Sequence, residues 1–170
     1  MMNIILSGFM GSGKTTVATE LANRLHMQFI DIDQFIEQEN GMSVSRIFEL
    51  HGEEGFRKLE TEAVKKIGKM DHCVIATGGG TILNSQNVKN LKKSGKIIFL
   101  DVSVDTVMRR LQYDGTRPLL NRSDKENAVT QLLMGRLPIY KSAADFSIDA
   151  NSDDLNQKVD LILRKLNLDK

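Results

Sequence analysis

A single α/β domain, built as a three-layer sandwich with a parallel sheet between two layers of helices, is the fold class this sequence predicts. Three observations predict it. The segment Gly8-Phe9-Met10-Gly11-Ser12-Gly13-Lys14-Thr15 fits the phosphate-cradling pattern G-x-x-x-x-G-K-[ST], between the apolar run Ile4-Ile5-Leu6 and a helix-like stretch. Short apolar runs then alternate with longer amphipathic segments along the whole chain. The length, 170 residues, suits one domain with a real core, so residues 1–170 are read as one unit with a mobile lid at about 113–124.

Each element has its own signal. Asn3 to Leu6 reads as the first strand, and Lys14 to about Leu25 as a helix with Val17, Leu21 and Leu25 on one face. Gln28 to Ile32 is the second strand, followed by a helical region from Gln34 that breaks at Asn40-Gly41. Ser43 caps a short helix to Leu50, and a second helix runs from Glu53 to Ile67 and stops at Gly68. Cys73 to Ala76 is the third strand. Asn84 caps a helix to Ser94, with Gly95 past its end, and Lys96 to Leu100 is the fourth strand. Ser103 caps a helix to Leu111. Gly115 and Pro118 break the polar stretch from Tyr113 to Asp124, so it reads as a surface loop. Ser123-Asp124-Lys125-Glu126 fits a capping box that starts a helix to about Tyr140. Phe146 to Ile148 is the last strand. A final helix capped by Ser152 shows Leu155, Val159, Ile162, Leu163 and Leu166 on one face.

Composition narrows the class. A net charge of +1 gives no reason to expect nucleic acid or an anionic membrane as partner. No apolar stretch approaches the roughly 20 residues of a membrane span, and Ile4 to Leu6 is too short for a signal-peptide core. The single cysteine, Cys73, suits a reducing cytosol and reads as a buried structural thiol. A cytoplasmic monomer is expected.

In a parallel sheet ligands gather at the carboxyl ends of the strands. The first strand ends in the phosphate loop. There the backbone of Gly11, Ser12 and Gly13 would cradle phosphate, with Thr16 at the helix start. Lys14 would reach the β- and γ-phosphates, and the Thr15 hydroxyl would ligate Mg²⁺. The second strand ends in Asp31-Ile32-Asp33. If the chain stays extended there, both carboxylates face one side, one to assist Mg²⁺ and the other to accept a proton from a substrate hydroxyl. Asp33 could instead cap the helix from Gln34. The third strand ends in Thr77-Gly78-Gly79-Gly80, three glycines that let backbone N–H groups approach a ligand. That end carries no carboxylate, so Asp31 is the natural Mg²⁺ candidate. Beyond the fourth strand stand Arg109-Arg110 and the loop arginine Arg117. A cationic lid over a transferring phosphoryl group is the functional reading of Arg117.

Together these motifs resemble the shikimate kinases, small ATP-dependent kinases of aromatic amino-acid biosynthesis. The resemblance rests on the phosphate loop, Asp31-x-Asp33, Phe56-Arg57-x-x-Glu60, Ile75-Ala76-Thr77-Gly78-Gly79-Gly80, Arg117-Pro118-Leu119-Leu120 and Arg136-x-Pro138-x-Tyr140, in that order. It covers almost the whole chain. It implies a nucleoside-monophosphate-kinase-like fold with strand order 2-3-1-4-5. It also implies transfer of the ATP γ-phosphoryl group to the 3-hydroxyl of shikimate. Asp33 would hold the shikimate hydroxyls and act as base, and Arg57 and Arg136 would clamp the carboxylate. Gly78, Gly79 and Gly80 would line the substrate site, and Phe48 and Phe56 would wall the carbocycle. Glu60, three residues after Arg57, can hold that arginine in place. Arg117 would reach the ATP phosphates from the lid, and Arg110 would stack on adenine. A proline often found after the last strand in this family is missing from Asp149-Ala150-Asn151-Ser152-Asp153, so the adenine contacts of that loop are left unassigned.

Three other classes fit less well. A gluconate or nucleoside-monophosphate kinase would need no Arg57/Arg136 pair around a triple glycine. A GTPase switch would carry an Asn-Lys-x-Asp motif, and Asn-Lys does not occur. A silent binding protein would not need Lys14, Asp31 and Asp33 together.

Overall fold

The computed structural model describes residues 2–112 and 124–168. Its five strands are β1 (Asn3–Ser7), β2 (Gln28–Asp31), β3 (Cys73–Ala76), β4 (Gly95–Asp101) and β5 (Phe146–Asp149). They form one all-parallel sheet in the order β2-β3-β1-β4-β5. The helices are α1 (Lys14–Leu25), α2 (Ile32–Asn40), α3 (Val44–Ile67), α4 (Ser85–Ser94), α5 (Val104–Leu111), α6 (Lys125–Ala143) and α7 (Leu155–Lys165), with a 3-10 turn at Thr81–Leu83. The sequence-predicted fold class and strand order are those observed.

The order follows from handedness. The connection from β1 to β2 runs one way along the sheet, and those from β2 to β3, β3 to β4 and β4 to β5 run the other way. Right-handed crossovers therefore place their helices on opposite faces. α1 and α7 pack together, while α4 and α6 both lie against β4. With both faces covered, β1 and β3 are buried throughout, β3 and the centres of β1 and β4 being apolar. Ile5, Leu6, Phe9, Leu21, Ile75 and Phe99 form the centre of the core. Cys73 is a buried free thiol, and burial pushes its pKa up, as suits a structural role. Among the described residues no helix is long and apolar enough to cross a membrane.

Several boundaries differ from the sequence reading, each for a local reason. β2 stops at Asp31, because the Asp31 carboxylate accepts a hydrogen bond from the Gln34 backbone N–H at 3.1 Å and caps α2. The cap is thus Asp31 and not Asp33, which lies in the first helical turn. The two helices read as Ser43-capped to Leu50 and as Glu53 to Ile67 are both present, as the two arms of α3 on either side of Gly52. Gly52 holds φ 67° and ψ −175°, a conformation that only glycine adopts without strain, and it turns Val44–His51 away from the rest of α3. β4 starts at Gly95, so that residue opens a strand as well as ending α4. Asp154 rather than Ser152 caps α7, accepting from the Gln157 N–H at 3.0 Å, and Leu166 falls past the end of that helix. Asp124 holds the cap position of α6, and Ser123 of the expected capping box lies outside the described residues.

Candidate active site

Strand register brings the motifs level. Asp31 pairs with Ala76, Ala76 with Leu6, and Ser7 with Phe99. The three loops that leave β1, β2 and β3 therefore open on one edge of the sheet. They line a cavity of about 760 Å³ with Lys14, Thr15, Asp31, Asp33, Arg57 and Arg136 on its walls. Gly11, Gly13, Thr16, Phe48, Phe56, Gly78, Gly79, Gly80 and Arg110 complete the expected set there. Ser12 is fully buried beneath the loop, so its contribution to a ligand is backbone. Arg117 and the expected lid at 113–124 lie, apart from Asp124, outside the described residues.

The phosphate loop is held open by its glycines. Gly11 and Gly13 take φ of 75° and 85°, and Gly13 is the N-terminal cap residue of α1 with no side chain to satisfy the first-turn N–H groups. Those N–H groups and the positive helix end make this loop suited to an anion. Lys14 Nζ donates to Gly8 O at 2.8 Å and Phe9 O at 2.9 Å, so the ammonium rests on the carbonyls of its own loop.

Thr15 and Asp31 meet as the sequence suggests. Thr15 Oγ1 lies 3.4 Å from Asp31 Oδ2, while Asp31 Oδ1 is committed to capping α2. Two oxygen donors beside a phosphate cradle fit Mg²⁺, which takes few protein ligands and completes its shell with phosphate and water. Among the described residues no cluster of three or more acidic, His or Cys side chains could hold a metal by itself.

Asp33 stands in the cavity with the phosphate loop on one side and Arg57, Glu60 and the triple glycine on the other. Burial and the neighbouring charges of Asp31 and Glu60 push its carboxyl up to about 6, against the opposing pull of Lys14. Asp33 Oδ1 also closes on Gly78, where an added Cβ would stand 3.0 Å away.

The part of the cavity around Arg57 and the three glycines is braced by side chains. Glu60 is 1% exposed; it accepts from Arg57 Nη1 at 2.9 Å and from Thr81 Oγ1 at 2.7 Å. Its third-residue spacing from Arg57 was readable in the sequence. Thr81 and the depth of burial were not. The Arg57 guanidinium lies so close over Gly80 that a Cβ there would come within 2.5–2.8 Å of it. Tyr140, fully buried and stacked on Phe99 at 5.2 Å, donates to Gly79 O at 2.5 Å and fixes the glycine turn. Its hydroxyl pKa is raised by burial, with Arg136 pulling it back. Gly79 also faces Arg136, whose Nη1 would be 3.6 Å from a Cβ added there. Phe48 and Phe56 stack with ring centroids 4.7 Å apart, and the Arg57 guanidinium lies 5.3 Å from the Phe56 centroid. Thr77 Oγ1, at the cavity wall, has no hydrogen-bond partner among the described residues.

Arg110 reaches across α5 to the loop after β5. It donates to Gly11 O, Ala150 O, Asn151 O and Ser152 O and pairs with Asp153 at 3.1 Å. The role foreseen for it was adenine stacking. The geometry adds that its edge is consumed by carbonyls, leaving only the plane for a ring.

Comparison with known proteins agrees with this geometry. The family model for shikimate kinase matches residues 10–167. The chain is 44% identical over 151 residues to a shikimate kinase of Caldicellulosiruptor bescii, covering 89% of this chain and 87% of that one. It is 44% identical over 164 residues to a shikimate kinase of Caldanaerobacter subterraneus, covering 96% and 95%. Among solved structures, shikimate kinase from Acinetobacter baumannii in complex with shikimate superimposes with a TM-score of 0.91 at 36% identity, covering 98% of this chain and 93% of that one. The shikimate kinase of Bacteroides thetaiotaomicron gives 0.90 at 31% identity, covering 98% and 99%. A phosphate loop, a paired-arginine acceptor pocket and a match along nearly the whole chain agree: the protein belongs to the shikimate kinase family.

Proposed function

We infer that this cavity transfers the γ-phosphoryl group of ATP to the 3-hydroxyl of shikimate, giving shikimate 3-phosphate and ADP. One observation carries the reading. Two arginines, one braced by a buried glutamate, share a cavity with a phosphate loop and a carboxylate of raised pKa. Two planar guanidinium forks suit a carboxylate on the acceptor. The phosphate loop suits a nucleoside triphosphate. The stacked Phe48 and Phe56 give the intervening carbocycle an apolar wall.

Each group then has a task. Arg57 and Arg136 hold the shikimate carboxylate and so fix which hydroxyl points at the nucleotide. Asp33, with a pKa near 6, is mostly ionised at neutral pH and can take the proton from the 3-hydroxyl. The freed oxygen attacks the γ-phosphorus as its bond to the ADP oxygen breaks. Lys14 exchanges the Gly8 and Phe9 carbonyls for the β- and γ-phosphates and offsets their charge. Thr15 and Asp31 would hold Mg²⁺, which neutralises and orients the phosphates. The guanidinium plane of Arg110 offers a face for adenine. Arg117 keeps its role beside the transferring phosphoryl group, and Arg117→Ala should lower kcat more than it raises the shikimate KM. The same reading takes the enzyme as a cytoplasmic monomer; light scattering behind size exclusion tests the second term.

A coupled ADP-release assay tests the reaction. Purified protein with MgATP should release ADP with shikimate and not with gluconate or AMP. Release with either alternative acceptor and none with shikimate overturns the assignment.

A further inference from the structure

Lys158 is the buried cation that the proposed reaction does not use. It lies on α7, on the face packed against α1, and is only 7% exposed. A lysine at that depth is normally paired. Lys158 Nζ forms no hydrogen bond and no ion pair among the described residues. The carboxylates near it are committed elsewhere. Asp153 binds Arg109 and Arg110, and Asp154 caps α7. Burial, followed by the positive charge of Arg110, pulls the Lys158 pKa down, and Asp153 and Asp154 only oppose that.

The place of the ammonium gives it a purpose. An added Cβ on Gly13 would stand 3.9 Å from Lys158 Nζ and would meet no other atom within 4 Å. Gly13 caps α1, whose unsatisfied N–H groups are the anion site. The γ-phosphate end of the loop is served by Lys14, which reaches back toward Gly8 and Phe9. Lys158 reaches Gly13 from the other side, out of a small neighbouring cavity that it lines with Asp149, Asn151 and Ser152 of the loop after β5, the same loop whose carbonyls hold Arg110. The nucleoside and its first phosphate would lie there.

We propose that Lys158 is a nucleotide-binding residue, a second loop-side cation that reads the α-phosphate of ATP and ADP. The proposal rests on the reading of the phosphate loop as the ATP site. A phosphate oxygen would supply the partner that the fold withholds. The free enzyme would hold a partly desolvated ammonium with only solvent for a partner, and the nucleotide complex would replace that solvent with a phosphate oxygen. The gain should fall on ATP and ADP alike, because both keep the α-phosphate through the reaction. It should therefore appear in binding and leave kcat nearly unchanged.

The two states predict effects of opposite sign, which separates this role from a structural one. Lys158→Met keeps the aliphatic bulk and removes the charge. Titration calorimetry should show ADP and AMP affinity reduced about tenfold, the scale of one charge-assisted contact. The adenosine inhibition constant and the shikimate affinity should stay within twofold of wild type. The Tm of the free variant should be equal to or above wild type, and Lys158→Gln should follow the same pattern. Unchanged ADP affinity in both variants overturns the proposal. So does a fall in Tm with equal losses for adenosine and ADP, because that marks Lys158 as packing alone. If wild-type protein fails to bind ADP, the ATP-site reading fails first, and Lys158 with it.

Discussion

The two halves of the cavity are built by different means. The acceptor half is a chain of side chains already in contact: Thr81 to Glu60, Glu60 to Arg57, Arg57 over Gly80, and Tyr140 to Gly79. The nucleotide half is mainly backbone. Its cations are either turned onto the protein's own carbonyls, as Lys14 and Arg110 are, or, as Lys158 is, carried on a buried side chain with no hydrogen bond to another described residue. The acceptor half is set before its ligand arrives, whereas the nucleotide half must exchange internal contacts for phosphate contacts. Substitutions in the first should therefore change shikimate binding in the free enzyme. Those in the second should act chiefly once phosphate is present.

Asp33, at the seam, should give the largest effect. Asp33→Asn should lower kcat by on the order of 10²–10⁴, the range for loss of a general base. The wild-type pH profile should rise through about pH 6 and then level, since the ionised carboxylate is the active form. Stability runs the opposite way. The native pKa is raised from 3.8 to about 6, so the native state holds its proton more tightly than the unfolded chain. That stabilisation is complete below the unfolded value and is lost as pH rises through 6. Asp33→Asn should consequently melt above wild type at pH 7, by on the order of 2–3 kcal/mol at most. Thermal melts at pH 5 and pH 7 check the sign, and a variant less stable than wild type at pH 7 would break the account of Asp33.

Lys14→Ala should follow, with kcat reduced by on the order of 10²–10³. Because Lys14 must leave Gly8 O and Phe9 O to reach phosphate, ADP affinity should fall less than the rate. Single-turnover rates set beside calorimetric ADP affinities measure both, and equal losses would blur the contrast between the halves.

Arg57→Ala and Arg136→Ala come next. Each should raise the shikimate KM roughly ten- to hundredfold with ATP binding to the free enzyme unchanged. A KM within twofold of wild type removes that arginine from the clamp. Gly80→Ala sharpens the same point without touching charge. Its Cβ would stand 2.5–2.8 Å from the Arg57 guanidinium and displace it, so shikimate KM should rise about tenfold while thermal stability barely changes. Unchanged kinetics would mean that Arg57 tolerates the shift and is less fixed than Glu60 makes it. The smallest effect belongs to Phe48, which is 37% exposed and touches Phe56 with one face. Phe48→Ala should cost two- to tenfold in shikimate KM, roughly the value of one aromatic contact. Steady-state kinetics at saturating ATP read it directly.

The same division separates what the sequence discloses from what it hides. The phosphate loop is contiguous, so its strand, glycines and helix could be read in a line, and α1 has the predicted bounds. Asp31 and Asp33 were read as facing one side of an extended strand. They do share the cavity, but Asp31 gets there by ending the strand, because a carboxylate that caps a helix competes with the ladder. The break between Leu50 and Glu53 was legible in the sequence, and the structure places it at Gly52. Thr81 gave no signal, since its value lies in a contact with Glu60, 21 residues away. Lys158 is not among the residues read as the apolar face of the last helix, Leu155, Val159, Ile162, Leu163 and Leu166. Its burial comes from the packing of α7 on α1, which no pattern within either helix records.

The parallel register has one further consequence, for which changes of length this chain can survive. β3 is central, bonded on one side to β1 and on the other to β2, and it delivers Thr77 and the three glycines directly. Deleting one residue from Cys73–Ala76 would draw that turn back by about 3.3 Å and reverse which face each side chain takes. Gly80 would leave Arg57, and Gly79 would leave Tyr140. The segment from Gly68 to His72, which joins α3 to β3 at the far edge of the sheet, carries no residue of the cavity, and its ties are local ones, Asn3 Nδ2 to Met70 O and Gln28 N–H to His72 O. Insertions there should be absorbed as loop, so length variation among functional descendants of this sequence should collect at the amino ends of the central strands and spare their carboxyl ends.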